Sequence, residues 1–275
     1  MKKTIVLTVL LICSGVIAQE PAPLKFGVLP SNPNSPASLQ VLLKFLSNST
    51  GQRFELVTSD LESLLDGLSS GEIAFADLTS AAYATAESLH KGKFKYVVTV
   101  AARDEHGDLV PYYKGFFFAL KTAPYRTMLD LKGRSFAFVS KSSTSGYLYP
   151  MATLTSMGID PETFFGSITF ADSHEKIFEG LKTGFLDAGV SNFDAFEKAK
   201  VVHGNIYKII GETQKIPSGA FVASEKVGND VVKAVRSTLL SIKPVDPVVN
   251  YPGFFYKGWI KKDSSFYDFL KKIMP

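Results

Sequence analysis

Cysteine is nearly absent from this chain: Cys13 is the single one among 275 residues, and it lies in the leading apolar segment. A disulfide scaffold is therefore excluded, as are thiolate metal sites and cysteine nucleophiles. Charge of one sign is equally scarce, since 30 Lys and Arg against 26 Asp and Glu leave a formal +4. No basic run accompanies that balance, so nucleic acid is not an expected partner. After the first twenty residues no apolar run approaches the length of a membrane-spanning helix, about 20 residues. Gly-x-Ser-x-Gly is missing, so there is no nucleophile elbow. The 4 histidines show no metal-ligand spacing with a third residue, and neither metal nor cofactor is expected. Internal repeats and low-complexity segments are also lacking.

What is present begins with an export signal. Lys2 and Lys3 precede a mostly apolar stretch over residues 4–12, and Val16-Ile17-Ala18 offers a cleavage site. Residues 1–18 thus read as a cleaved signal peptide, and the product as a soluble exported protein. Ile12 disfavours lipoprotein anchoring at Cys13, because the position before an acylated cysteine wants a small residue.

The remaining chain alternates strand and helix patterns. Residues 24–29 and 54–57 read as strands, and Leu39, Leu42, Leu43 and Leu46 mark one face of a helix between them. A helix starts at Ser59-Asp60, runs through Leu68 and is closed by Gly71. Ile73-Ala74-Phe75-Ala76 is the next strand, and Asp77-Leu78-Thr79-Ser80 leads into another helix. Residues 112–120 read as one long strand. Further strands are expected at 136–139, 168–170, 186–190, 207–210 and 221–223, and a helix at 231–240. This order predicts an α/β fold with mainly parallel sheets.

Between the strand at 136–139 and the helical pattern from Met151 lies Ser142-Ser143-Thr144-Ser145-Gly146. Free N–H groups and the positive end of the macrodipole meet at a helix start, where hydroxyls add donors and glycine admits a ligand to the backbone. Such a place suits an oxyanion. Simple capping would need one hydroxyl, not three in a row. Three more strand-to-helix turns are polar without charge: Ser31-Asn32, Thr79-Ser80 and Ser191-Asn192. In open α/β sheets ligands bind beyond the carboxyl ends of strands, so the four turns outline a crevice.

The stretch Leu129-Asp130-Leu131-Lys132-Gly133, a strand, and then Ser143-Thr144-Ser145-Gly146-Tyr147 with Pro150 resembles periplasmic substrate-binding proteins of ABC importers. Within them it is similar to the phosphonate, phosphite and phosphate-ester binding branch. Gly27-Val28-Leu29-Pro30, Ala81-Ala82-Tyr83, Ser173-His174 and the run from Gly184 to Val190 support the likeness, which spans residues 24–240. It implies a two-lobed class II fold whose lobes close over one ligand. One lobe would comprise residues 19–105 and 218–275, the other 106–217, with crossings near 103–112 and 212–220. It further implies that Ser143, Thr144 and Ser145 hold the phosphoryl oxygens, with Tyr83 and His174 as donors from either side. Ser31 and Asn32 stand where many relatives carry an aromatic, and Ser191 and Asn192 where aminoalkyl-phosphonate binders carry acids. A small or uncharged substituent is therefore expected.

Asp77 and Asp187 end strands and read as caps or acceptors of loop N–H groups rather than as paired catalytic acids. Phe254, Phe255, Tyr256 and Trp259 read as packing of the C-terminal segment. The expected protein is a non-enzymatic, monomeric receptor that delivers a small phosphorus oxyanion to an inner-membrane ABC permease. The alternatives are a sulfonate receptor, a sensory binding protein for a membrane kinase, and an exported phosphatase or esterase.

Overall fold

The computed structural model describes residues 21–30, 32–103 and 107–273. The expected signal peptide, Cys13, Ser31 and His106 fall outside them. From the amino-terminal side the chain lays down β1 (Leu24–Val28), α1 (Pro36–Thr50), β2 (Phe54–Thr58), α2 (Leu61–Ser70), β3 (Phe75–Leu78), α3 (Ser80–Leu89), β4 (Phe94–Arg103) and the short β5 (Leu109–Val110). It then crosses through β6 (Tyr112–Tyr113) into β7 (Gly115–Leu120), β8 (Ser135–Phe138), α4 (Tyr149–Ser156), α5 (Pro161–Phe164), β9 (Ser167–Phe170), α6 (His174–Thr183), β10 (Ala188–Asn192), α7 (Phe193–His203) and β11 (Tyr207–Glu212). It returns through β12 (Ile216–Pro217) to β13 (Ala220–Ser224), α8 (Asn229–Ser241), β14 (Gly258–Ile260) and α9 (Asp268–Ile273).

Two large sheets result. The first runs β14-β4-β13-β3-β1-β2 with β5 beside β4, and the second β11-β7-β10-β8-β9; β6 and β12 form a two-stranded ladder of their own. The helix starts are legible in local chemistry. Ser35 caps α1 ahead of Pro36, and Asp60 caps α2, which Gly71 ends in the left-handed conformation as expected. Leu39, Leu42, Leu43 and Leu46 are all buried on one face of α1, against Phe26, Phe75, Val98 and Phe221 of the first sheet.

The sheets are mixed rather than mainly parallel. β1 pairs parallel with β2 and β3, and β8 with β9 and β10. The pairs β3–β13, β4–β13, β4–β14, β7–β10 and β7–β11 are antiparallel. A parallel neighbour needs a helical crossover, and the strands that carry the chain between sheets lack one. The expected strand over 112–120 is broken at Lys114, so Tyr113 and Gly115 belong to different ladders. β3 begins two residues later than its apolar run suggests, which puts Asp77 inside the strand. Ser191 and Asn192 likewise belong to β10 rather than to a turn. A small apolar cluster joins the halves: Ala81 and Ala84 of α3 meet Leu148, Tyr149, Ile216 and Leu270.

Candidate functional site

β8 feeds directly into the hydroxyl run. Ser143 caps the turn, its Oγ accepting from Gly146 N at 3.0 Å. Thr144–Leu148 then forms a π-helical turn, in which Leu148 N donates to Ser143 O at 3.0 Å. Val139 N donates to Gly146 O at 3.0 Å, tying the turn to the end of the strand. Gly146 serves packing rather than ligand access: a Cβ there would lie 2.5 Å from Val139 Cβ. On the other flank, a Cβ on Gly115 would lie 2.7 Å from Ser145 O. The turn is thus pressed against both β7 and β8.

The N-terminus of α3 repeats the plan. Thr79 is the cap, its Oγ1 accepting from Ala82 N at 3.2 Å. Ser80 follows with a buried Oγ that has no hydrogen-bond partner. At both helix starts, capping consumes one hydroxyl and leaves the next ones over. Ser80 is 1% exposed, Thr144 5% and Ser145 3%.

Tyr113 brings the two starts together. Its phenol faces the hydroxyls of Ser145, Thr144 and Ser80, which favour its ionised form. Burial outweighs them, with the charge of Asp194 adding to it, and pushes the group up to about 12. Tyr113 is therefore a neutral O–H. Among these hydroxyls Ser80 Oγ is left without a hydrogen-bond partner, and no backbone carbonyl takes the N–H of Thr144 or Ser145 among the described residues. Buried hydroxyls normally find partners, so such a group is a donor set in want of an acceptor.

His174 opens α6, which Ser173 caps. Its Nδ1 lies 2.9 Å from Ser191 Oγ of β10. Burial brings the imidazole down to about 4; Glu175 pulls it back up and Lys198 pushes it further down. The ring is neutral at physiological pH. The residue two before it, Asp172, has φ 66° and donates its N–H to Val139 O at 2.9 Å. The Val139 peptide thus couples the turn before His174 to the π-helical turn.

The other expected site residues divide. Asn192 spends its side chain capping α7, accepting from Ala195 N at 2.8 Å. Asn32 organises the loop after β1: its Nδ2 donates to Asp77 Oδ2 at 2.7 Å and its Oδ1 accepts from Asn34 N at 2.9 Å. Tyr83 lies away from these groups. It sits 1% exposed among the rings of Phe94, Tyr96 and Tyr267, because its place on α3 turns it into the first sheet's core.

Sequence reading overlooked Tyr113, since nothing in the alternation of 112–120 marks the break after it. It also overlooked what the C-terminal segment does. Phe254 and Trp259 pack in the core, but Tyr256 Oη donates to Asp77 Oδ2 at 2.6 Å. Phe255 places its ring 4.5 Å from Lys198 Nζ of α7. Asp194, also on α7, is pushed up by burial and drawn back by Lys198 and Lys257. Beside Asn32, with Lys198 and Phe255 in its wall, lies a cavity of about 440 Å³. Among the described residues no cluster of metal-ligating side chains is found, and no helix is long and apolar enough to cross a membrane.

Comparison with known proteins places the chain in a family. The family described as the periplasmic substrate-binding protein of phosphonate ABC transporters matches residues 26–250. The phosphate-import protein PhnD of Mycolicibacterium smegmatis is 26% identical over 213 residues, which cover 73% of this chain and 65% of that protein's length. PhnD1 from Prochlorococcus marinus, solved in complex with methylphosphonate, is similar with a TM-score of 0.72 at 19% identity, over 91% of this chain and 96% of that one. XAC2383 from Xanthomonas citri, bound to ATP, gives 0.71 at 19% identity, over 92% and 96%. The α/β architecture is shared with these binding proteins.

Proposed function

We propose that this chain, which belongs to the periplasmic substrate-binding protein family of phosphonate ABC transporters, captures a small phosphorus oxyanion and hands it to an inner-membrane permease. One observation carries this reading. Buried hydroxyls from two helix starts, Ser80 on one side and Thr144 and Ser145 on the other, converge on the neutral Tyr113 phenol, and Ser80 Oγ has no partner of its own. A tetrahedral oxyanion offers the acceptors they lack. The flanking N–H groups of Thr144 and Ser145 add the dipole of the helix start, and neutral His174 adds a donor or acceptor according to its tautomer.

Binding is coupled to closure in this reading. Residues 19–105 and 218–275 form one lobe and 106–217 the other. A ligand that bridges Ser80 and Thr144 favours the closed arrangement by its differential affinity for it. Micromolar capture needs about −8 kcal/mol. Four to six hydrogen bonds to a charged group, at about 1.5–3 kcal/mol each before the entropy of binding, are sufficient. The protein acts as a monomeric, non-enzymatic receptor, exported by its signal peptide.

Isothermal titration with phosphite, phosphate, methylphosphonate, 2-aminoethylphosphonate, sulfate and taurine tests this reading. Saturable binding of at least one phosphorus compound, more tightly than sulfate or taurine, is expected. Binding of the sulfur oxyanions alone, or turnover of a phosphate ester, would overturn it.

A further inference from the structure

One buried phenol is left without a role in this scheme. Tyr149 opens α4 directly after the π-helical turn, and its N–H donates to Thr144 O. The residue is 1% exposed, yet its Oη has no hydrogen-bond partner. Its ring packs with Ala81 and Ala84 of α3 and with Leu148, Ile216 and Leu270, and lies 5.6 Å from the ring of Phe269. None of these side chains carries an acceptor, so packing alone would be served as well by phenylalanine. A buried hydroxyl without a partner costs stability. Such a group in a folded protein calls for a specific reason.

Position supplies one. A helical side chain leans back over the preceding turn, so Tyr149 reaches toward Thr144 and Ser145 rather than away from them. Burial pushes its phenol well above the usual range, and the charge of Tyr113 adds to that. Tyr149 is therefore a neutral O–H in the field of Tyr113, the residue on which Ser80, Thr144 and Ser145 converge. Across the junction of the two halves, Ala81 of its cluster directly follows Ser80, whose Oγ is likewise buried without a partner. Two unpaired hydroxyls, one from each half of the molecule, thus flank one phenol. A group with several acceptor oxygens between them would satisfy both.

We infer that Tyr149 is a further binding residue, its Oη donating to an oxygen of the phosphorus oxyanion held by Ser80, Tyr113, Thr144 and Ser145. The inference rests on the function proposed above and extends the cradle into the first turn of α4. The hydroxyl is a burden to the empty protein and is satisfied only when the anion is present, a trade of stability for function. Loss of that oxygen should therefore act in opposite directions on the empty fold and on binding.

The test is Tyr149→Phe, which removes the oxygen and keeps the ring. It is set beside wild type in calorimetric titration with phosphite and methylphosphonate, and in thermal melts without ligand. The ligand-free variant should melt at the wild-type temperature or above it, since it sheds an unsatisfied group. Its affinity should fall roughly tenfold, the value of one hydrogen bond to a charged group. The factor should be the same for both ligands, because the phosphorus-bound oxygens are what they share. Undiminished affinity overturns the inference and leaves the receptor reading intact. A ligand-free variant that melts clearly lower marks the phenol as structural and overturns it as well, and so does a loss confined to methylphosphonate. If wild type binds neither ligand the inference falls, and the receptor reading falls with it only when the other phosphorus compounds also fail to bind.

Discussion

His174 Nδ1 and Ser191 Oγ, 2.9 Å apart, lock the start of α6 to β10, so that the ring's orientation is set by the sheet rather than by solvent. Burial keeps this histidine neutral, and burial likewise makes Asp77 of the first sheet resist ionisation.

Those two groups should pull stability in opposite directions across one pH window. His174 is lowered from 6.5 to about 4, so its contribution is complete above 6.5 and is lost as pH falls toward 4. Asp77 is raised from 3.8 to about 6, so its contribution is complete below 3.8 and is lost as pH rises through 6. Each amounts to about 3 kcal/mol at most, and they largely cancel. Urea unfolding between pH 4 and 7 should show His174→Gln losing stability as pH rises and Asp77→Asn gaining it. Parallel curves for wild type and both variants would refute the pairing.

Within the cradle, hydroxyls of the same type should behave differently. Thr144→Val and Ser145→Ala should each weaken ligand binding roughly tenfold, the value of one hydrogen bond to a charged group. Ser143→Ala should instead cost about 1 kcal/mol of stability, because its oxygen is spent on the cap. Tyr113→Phe should weaken binding while Tyr83→Phe should not. Calorimetric titration paired with thermal melts separates the two effects, and equal loss of affinity for Tyr83→Phe would relocate the site.

Gly115→Ala tests the support beneath the cradle. The added Cβ would press on Ser145 O at 2.7 Å and on Thr213 Cγ2 at 3.2 Å, and one of the contacts is backbone. Overpacking of this kind costs about 1–3 kcal/mol. Affinity should fall along with stability, since Ser145 must shift. An alanine variant with wild-type affinity would show that the turn is not held by this contact.

Lys198 and Phe255 should govern release. Lys198 Nζ is 4.5 Å from the ring centroid, and the partners belong to opposite halves of the molecule. A cation–π contact at an exposed site is worth about 0.5–1 kcal/mol. Lys198→Gln should therefore raise the ligand dissociation rate about two- to fivefold in stopped-flow measurements, with little change in association. A slower association and unchanged dissociation would refute the closure role.

Much of the fold could be read from local pattern, because the features involved are local. The α1 stripe, the Asp60 and Gly71 boundaries of α2 and the hydroxyl run before α4 each declare themselves within a few residues. β4, the longest strand, carried no expectation, nor did β14, and β13 was expected as a strand at 221–223 but not as an antiparallel one. Their partners are far away in sequence, and pairing leaves no local trace. The site shows the same division. Thr144 and Ser145 announce a helix start, whereas Ser80 gains meaning only when Tyr113 arrives from another ladder. Tyr83 misled because a tyrosine on a helix looks alike whether it faces a crevice or a core. Asp77 looked like an ordinary cap until Tyr256, 179 residues later, was found on its carboxylate.

Tyr256 lies beyond the stretch 26–250 that matches the family, whereas Ser80, Tyr113, Thr144, Ser145 and His174 lie inside it. Asp77, which accepts from its phenol, lies inside that stretch as well, so the tail and the matched region share a buried hydrogen bond.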